Sequence, residues 1–507
     1  MPSQARFSYS LGAGKSPLAM RRQAPASLSG SAARGVLWTG TGQVLRQLLQ
    51  IGTSLVLVRL LVPEDFGLIG MAMFFIGIGQ LLADFGMGAA IMHSRTDDQV
   101  ILSSCFWLNV VVAAGLAAVL LVAAPLIGDF YKRSDLVPIV AALALNLLLS
   151  GLLVVPAALL TRDMRFAVLA RSQVLGSLVG AAAAIVMAWR GFGAWALVAQ
   201  PLCGAAATLS ACTFAARWYP SFQFSWRKVE PLARFSAALL GTNLIGYMNR
   251  NADSLLVGRV LGAGPLGYYS MAIQLMLYPL QQVSSVFVRV LIPTLIHLQE
   301  DLPRLRAAYL KAVGCIALAT FPIMGGLFAV ADDFVKVVFG PTWTEMTPLV
   351  EILAWVGMFQ SVGTTVGTLY LATGNPRLAL RVTMIGAPIL IGGMAAGLPW
   401  GTIGVATGYA IANVTFSYYS FATAFRLVGL PLWDFWRELA PPLGCALAMI
   451  AVVMLAGQAL SSLDAPYRLG LCVLLGVLAY IIATLFFNRA RVVEMMTIAR
   501  SLRKREA

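Results

Sequence analysis

Gln43, Arg46, Gln50, Thr53 and Ser54 recur at helical spacing through a stretch, Gly35 to Leu61, that is otherwise apolar. On a helix they form one wet stripe. A guanidinium near the middle of a bilayer costs roughly 2.5–3.5 kcal/mol on insertion scales, so Arg46 is expected to face a cavity or a partner rather than lipid. Guanidinium grips phosphate with two parallel hydrogen bonds, so an arginine held in a wet cavity favours an anionic ligand.

The stripe returns 200 positions later. Asn243, Gly246, Arg250, Asp253 and Ser254 occupy corresponding places between Phe235 and Val260. The register continues past the helix end, where Arg59, Gly67, Met71 and Ala72 match Arg259, Gly267, Met271 and Ala272. Agreement of polar phase, helix end and turn glycine reads as an internal repeat. Two like-built halves, each opening on a polar-faced helix, suggest a transporter with a central cleft.

A third polar face follows in Gln274, Tyr278, Gln281, Gln282, Ser285 and Arg289. Each face would be costly toward lipid, so together they are expected to line one water-filled cavity. Asp84 falls at a depth similar to Arg46, and Arg250 and Asp253 lie three residues apart on one face. Both pairs read equally as static ion pairs or as switchable binding groups. Asp84 and Asp253 are the candidates for a coupling proton or sodium ion. Gln360, Ser361, Thr364, Thr365 and Thr368 form a weaker stripe whose hydroxyls are expected to bond back to their own helix.

The elements that must position these residues are membrane helices. Of 507 residues 59% are hydrophobic and 11% charged, and the mean hydropathy is +0.82. No soluble domain buries that much apolar surface. The net charge of +15 is dispersed among short loops, which excludes a nucleic-acid reading and fits membrane topology. The six cysteines, all in or beside apolar runs, show no metal-ligand spacing, and no disulfide is expected. His93 and His297 fall at ends of apolar segments, where interface placement is expected over a proton relay. There is no nucleotide-binding loop and no zinc pattern, so neither catalysis, metal nor cofactor is expected.

The fold class expected is an all-α polytopic membrane protein with about fourteen spans of about 20 residues each. Residues 1–34 read as a disordered basic cytoplasmic tail without signal-peptide character. Residues 35–216 form a first lobe of six spans, 217–234 a cytoplasmic linker, and 235–425 a second lobe of six. Residues 426–488 hold two further spans, and 489–507 a basic cytoplasmic tail. The linker carries Trp218, Tyr219, Phe222, Phe224 and Trp226 beside Arg227 and Lys228, suited to the inner headgroup region. With the N-terminus inside, 26 basic residues lie at the cytoplasmic side, 7 at the opposite side and 3 within spans, so both termini are expected in the cytoplasm. Glycine pairs at 176/180, 363/367, 393/397 and 404/408 allow close helix approach.

The segment from Arg59 to Arg95, with its Gly67 turn and its Asp84-Phe85-Gly86, resembles a known family, as does Met248 to Ala272 at the start of the second half. They are similar to the polysaccharide-transporter branch of the multidrug/oligosaccharidyl-lipid/polysaccharide exporter superfamily, in particular its Wzx-type exporters of the colanic-acid group. Past Pro303 the likeness is one of span number and spacing. The resemblance implies two six-helix lobes around a central cavity, plus two C-terminal helices, in the bacterial inner membrane. It implies as substrate an undecaprenyl-pyrophosphate-linked oligosaccharide repeat unit, moved by alternating access for exopolysaccharide or lipopolysaccharide biosynthesis. Cationic residues would hold the pyrophosphate, here Arg46, Arg250 and Arg289, with Gln50, Asn243, Gln281 and Gln282 toward the sugars. Expected partners are the lipid bilayer and the polysaccharide polymerase machinery, around a monomer. The rival readings are a drug or metabolite antiporter of the same superfamily, a peptidoglycan lipid-precursor flippase, and a membrane polymerase or ligase. Arginine in excess over carboxylate argues against the first. The last would need a sizeable outer loop, and the longest here is expected at about 331–346.

Overall fold

The computed structural model describes residues 26–84, 91, 98–226, 244, 246–248 and 250–487. Among the described residues there is helix and no strand. In chain order the long helices are α1 (Ala26–Leu60), α2 (Pro63–Asp84), α3 (Gln99–Tyr131), α4 (Leu136–Arg162), α5 (Phe166–Trp189) and α6 (Ala194–Ala216). The second half contains α7 (250–260), α8 (Ala263–His297), α9 (Leu302–Ala329), α10 (Thr347–Gly363), α11 (Val366–Ala372), α12 (Pro376–Gly397) and α13 (Gly401–Val428). Last come α14 (Leu432–Ala459) and α15 (Ala465–Phe487).

Local chemistry sets the ends. Asp98 caps α3 by accepting the Val100 N–H at 2.9 Å, and Asp301 caps α9 by accepting that of Arg304 at 3.2 Å. Gly429 takes the left-handed conformation that closes α13. The first helix begins at Ala26, earlier than the expected Gly35.

Ten described stretches are long and apolar enough to cross a membrane, or eleven when α8 is counted across its 44° bend. One of them, residues 377–428, is two crossings, because α12 and α13 fold back on each other at Leu398–Trp400. The polar stripe makes α1 less apolar than these. With α1 and the seventh crossing, only partly among the described residues, the expected span order is accounted for.

Glycines set the closest approaches. A Cβ on Gly176 would lie 2.6 Å from the Gly204 carbonyl, and one on Gly180 2.5 Å from that of Gln200, so α5 and α6 meet backbone to backbone. Gly393, Gly397, Gly404 and Gly408 do the same for α12 against α13, whereas Gly363 and Gly367 meet nothing within 4 Å. Gly404→Ala is therefore expected to cost about 1–3 kcal/mol by overpacking, read as a lower unfolding midpoint in detergent. Gly367→Ala should leave that midpoint unchanged.

Helices α1 to α6 pack as one bundle and α8 to α13 as another; α14 leans on α9, and α15 on α14. Asp333 pairs with Arg468 at the start of α15, and the Tyr480 hydroxyl donates to the Leu318 carbonyl of α9 at 2.8 Å. The bundles meet chiefly through α2 and α8. The expected outer loop at 331–346 is wound helically on both sides of Gly340: one turn at Ala331–Phe334, a π turn at Val335–Phe339 and a 3₁₀ turn at Pro341–Met346. The reason is Trp343. It is fully buried against Phe66, Tyr268 and Phe339, and its indole donates to the Val58 carbonyl of α1 at 3.0 Å. All six cysteines are free.

Candidate functional site

Arg46 lies in a polar cavity of about 360 Å³ walled by α1, α4, α5 and α6. That is roughly the lower part of the 300–1,000 Å³ range of small-ligand pockets. Gln50 and Thr53 of α1 line it with Arg46, and so do Gln173 and Ser177 of α5 and Gln200 and Thr208 of α6. The half-buried guanidinium donates to the side-chain carbonyl of Gln173 at 3.3 Å and to that of Gln43. Both partners are neutral amides, so they orient the cation and leave its charge for a ligand. Thr53 bonds back to the Leu49 carbonyl at 2.7 Å and is buried.

The glycine contact between α5 and α6 builds this cavity. Close backbones at Gly176, Gly180 and Gly204 bring Gln173, Ser177, Gln200 and Thr208 onto facing walls. These four were not singled out from the sequence. The signal was present: Gln200, Gly204 and Thr208 recur every four residues and so share one face with the glycine.

The other edge of the α1 stripe faces the second bundle. Gln50 and Ser54 line a cavity of about 200 Å³ with Gln274 and Tyr278 of α8. A third cavity, about 450 Å³, opens between Gln80 of α2, Ser150 of α4 and Tyr247. Gln50 lines both of the first two, so the stripe is shared between the first bundle and its meeting with the second. Arg250, Gln281, Gln282 and Arg289 are exposed on the second half and do not line the cavity that holds Arg46.

The expected contact between Arg250 and Asp253 is not formed. The Arg250 guanidinium folds back along its helix, Nη1 lying 3.2 Å from where a Cβ on Gly246 would sit. Glycine there offers a groove that the long side chain fills. Asp253 instead accepts the backbone N–H of Ser254 at 2.8 Å and is buried within electrostatic reach of Tyr269 and Tyr409. The Asp84 side chain, the whole of Asn243, residues 227–234 of the linker, residues 1–25 of the expected tail 1–34 and the expected tail 489–507 lie outside the described residues. Ser361, Thr364, Thr365 and Thr368 bond back to carbonyls three residues earlier, as their spacing suggested. They mark the break between α10 and α11.

The start of the linker is stapled to α3. Trp107 donates to the Ser221 carbonyl at 2.9 Å, Gln99 to that of Tyr219 at 2.8 Å, and Phe222 stacks on Trp107. At the opposite end of the helices Arg133 bridges Glu64 at 2.7 Å and Asp135 at 2.6 Å, and its guanidinium holds the Asp135 carboxyl below its ordinary range.

The chain is 28% identical over 423 residues to the lipopolysaccharide biosynthesis protein WzxC of Escherichia coli (strain K12), covering 79% of this chain and 83% of that one. It is 27% identical to the teichuronic acid biosynthesis protein TuaB of Bacillus subtilis (strain 168), covering 88% and 94%. Its fold is that of the lipid II flippase MurJ in an inward closed conformation, with a TM-score of 0.69 at 15% identity, covering 90% of this chain and all of that one. An inward-facing MATE family multidrug transporter of the MOP superfamily matches with a TM-score of 0.56 at 14% identity, covering 76% and 94%. A family profile described as polysaccharide biosynthesis protein matches residues 56–348, more than half of the sequence. The chain belongs to the polysaccharide biosynthesis protein family.

Proposed function

We propose that the protein is a flippase that moves an undecaprenyl-pyrophosphate-linked oligosaccharide repeat unit from the inner to the outer leaflet of the bacterial inner membrane by alternating access. The observation that carries this reading is Arg46, held by two amides in a polar cavity within an apolar bundle. A phosphate arriving there meets an oriented cation that pairs with no carboxylate among the described residues, and side-chain amides able to bond sugar hydroxyls. The relatives named for lipopolysaccharide and teichuronic acid biosynthesis, and the fold shared with a lipid flippase, support it. On this reading the chain is a transporter and not an enzyme.

The finer parts belong to the same proposal. The lobes 35–216 and 235–425, joined by 217–234, rock against each other, and 426–488 adds two helices. Both termini lie in the cytoplasm, supported by the 26 basic residues on that side against 7 on the other. Gln50, Asn243, Arg250, Gln281, Gln282 and Arg289 line the passage as the lobes move. Asp84 and Asp253 serve coupling to a proton or sodium ion. The chain works as a monomer beside the polymerase machinery.

The test is removal of the protein from its native cells. Intact undecaprenyl-linked repeat units are expected to accumulate on the cytoplasmic leaflet, detected by labelling their sugars in inverted membrane vesicles. Repeat units reaching the outer leaflet at the normal rate in cells without the protein would overturn the reading.

A further inference from the structure

Pro63 and Ala263, and Gly67 and Gly267, are separated by the interval of the sequence repeat, and the structure brings the four together. A Cβ on Gly67 would run into the carbonyl of Ala263, and one on Gly267 into the carbonyl of Pro63. One turn deeper, a Cβ on Gly70 would lie 3.6 Å from Oγ of Ser270, its own repeat partner. A local two-fold axis therefore passes between α2 and α8, and the two bundles touch across it backbone to backbone.

Two further contacts belong to the seam. At its end, Arg59 of α1 donates to the Val338 carbonyl at 2.9 Å and to that of Val337, beside the buried Trp343. Deeper in, Gly77 leaves a slot into which Tyr247 reaches from the second bundle, its hydroxyl donating to the Met73 carbonyl at 2.9 Å. From Gly67 to Gly77 the seal is about 15 Å deep at 1.5 Å per residue. That is half of a hydrocarbon core about 30 Å thick. Beyond Tyr247 lies the cavity of Gln80 and Ser150.

We infer that the seam of Gly67 and Gly267 is the outer gate of the transporter, sealed by a backbone contact that side chains would block and opened when the lobes part along the two-fold axis. This rests on the flippase reading and the orientation proposed above. A glycine seam suits a contact that must form and break: where Gly67 and Gly267 meet, no side chains interlock and separation needs no repacking of rotamers, while Tyr247 and Arg59 have only to withdraw from the carbonyls they hold.

Two experiments test the gate. In full-length protein with its six cysteines replaced, Gln80→Cys is labelled with a membrane-impermeant maleimide added to the outer side. Gly67→Ala with Gly267→Ala should raise that labelling by about tenfold or more, because the closed state is lost. Labelling from the inner side confirms that the probe position is reachable. Unchanged outer labelling in a variant that elutes as the parent does would overturn the inference. Separately, Gly70→Cys with Ser270→Cys is oxidised to a disulfide across the seam. Polymer secretion should then fall to background and return on reduction, whereas undiminished secretion at complete cross-linking would also overturn it. The maleimide arm uses no substrate, so it judges the gate even if removal of the protein leaves repeat-unit transfer untouched.

Discussion

Arg46→Ala is expected to lower polymer secretion by two orders of magnitude or more while membrane insertion stays normal. Truncating one partner of a desolvated charge pair costs about 2–5 kcal/mol, each 1.4 kcal/mol being a factor of ten. The amides of Gln43 and Gln173 cannot replace the cation, because they carry no charge. Arg46→Lys should recover part of the loss, since it restores the charge but not the two-pronged geometry. Secreted polymer and lipid-linked intermediate, measured in the same cells, check the point: the first should fall as the second rises. Normal secretion by Arg46→Ala would remove this cavity from the mechanism.

Trp343→Ala is expected to be the most destabilising single change named here. The side chain is fully buried among Phe66, Tyr268 and Phe339, and its indole N–H holds the end of α1. Removing a buried Trp costs about 3–5 kcal/mol through the void it leaves. Trp343→Phe keeps most of the volume and gives up the hydrogen bond, worth about 0.5–1.5 kcal/mol, so it should fall between. Thermal unfolding in detergent, followed by intrinsic fluorescence of the remaining tryptophans, ranks the three proteins. Equal midpoints for Trp343→Ala and the parent would mean that the wound segment contributes nothing to holding the halves together.

What could be read from the sequence and what could not differ for physical reasons. The repeat was legible because the register of Arg59 and Gly67 with Arg259 and Gly267 survives in residue identity. The structure turns that register into a symmetric contact. The stripe on α1 was legible because helical spacing and the cost of burying charge act locally. Which walls it faces was not, since Gln200 and Thr208 share a cavity with Arg46 only through the close packing of α5 on α6. Arg250 and Asp253 had the right spacing to pair, yet Gly246 offered the guanidinium another path. Trp343 read as part of an outer loop because nothing in its neighbours along the chain foretells Phe66 or Val58. Its burial comes from the meeting of two distant halves.

The tie between Asp333 and Arg468, with Tyr480 bonded to α9, has a practical corollary. The final helix travels as a passenger of the second half, fastened at its start and again midway along its length. A spectroscopic reporter on the exposed Phe486, paired with one on the exposed Leu121 of α3, would register each excursion of the two halves as one changing separation. Neither attachment point lines a cavity that holds Arg46, Gln274 or Gln80.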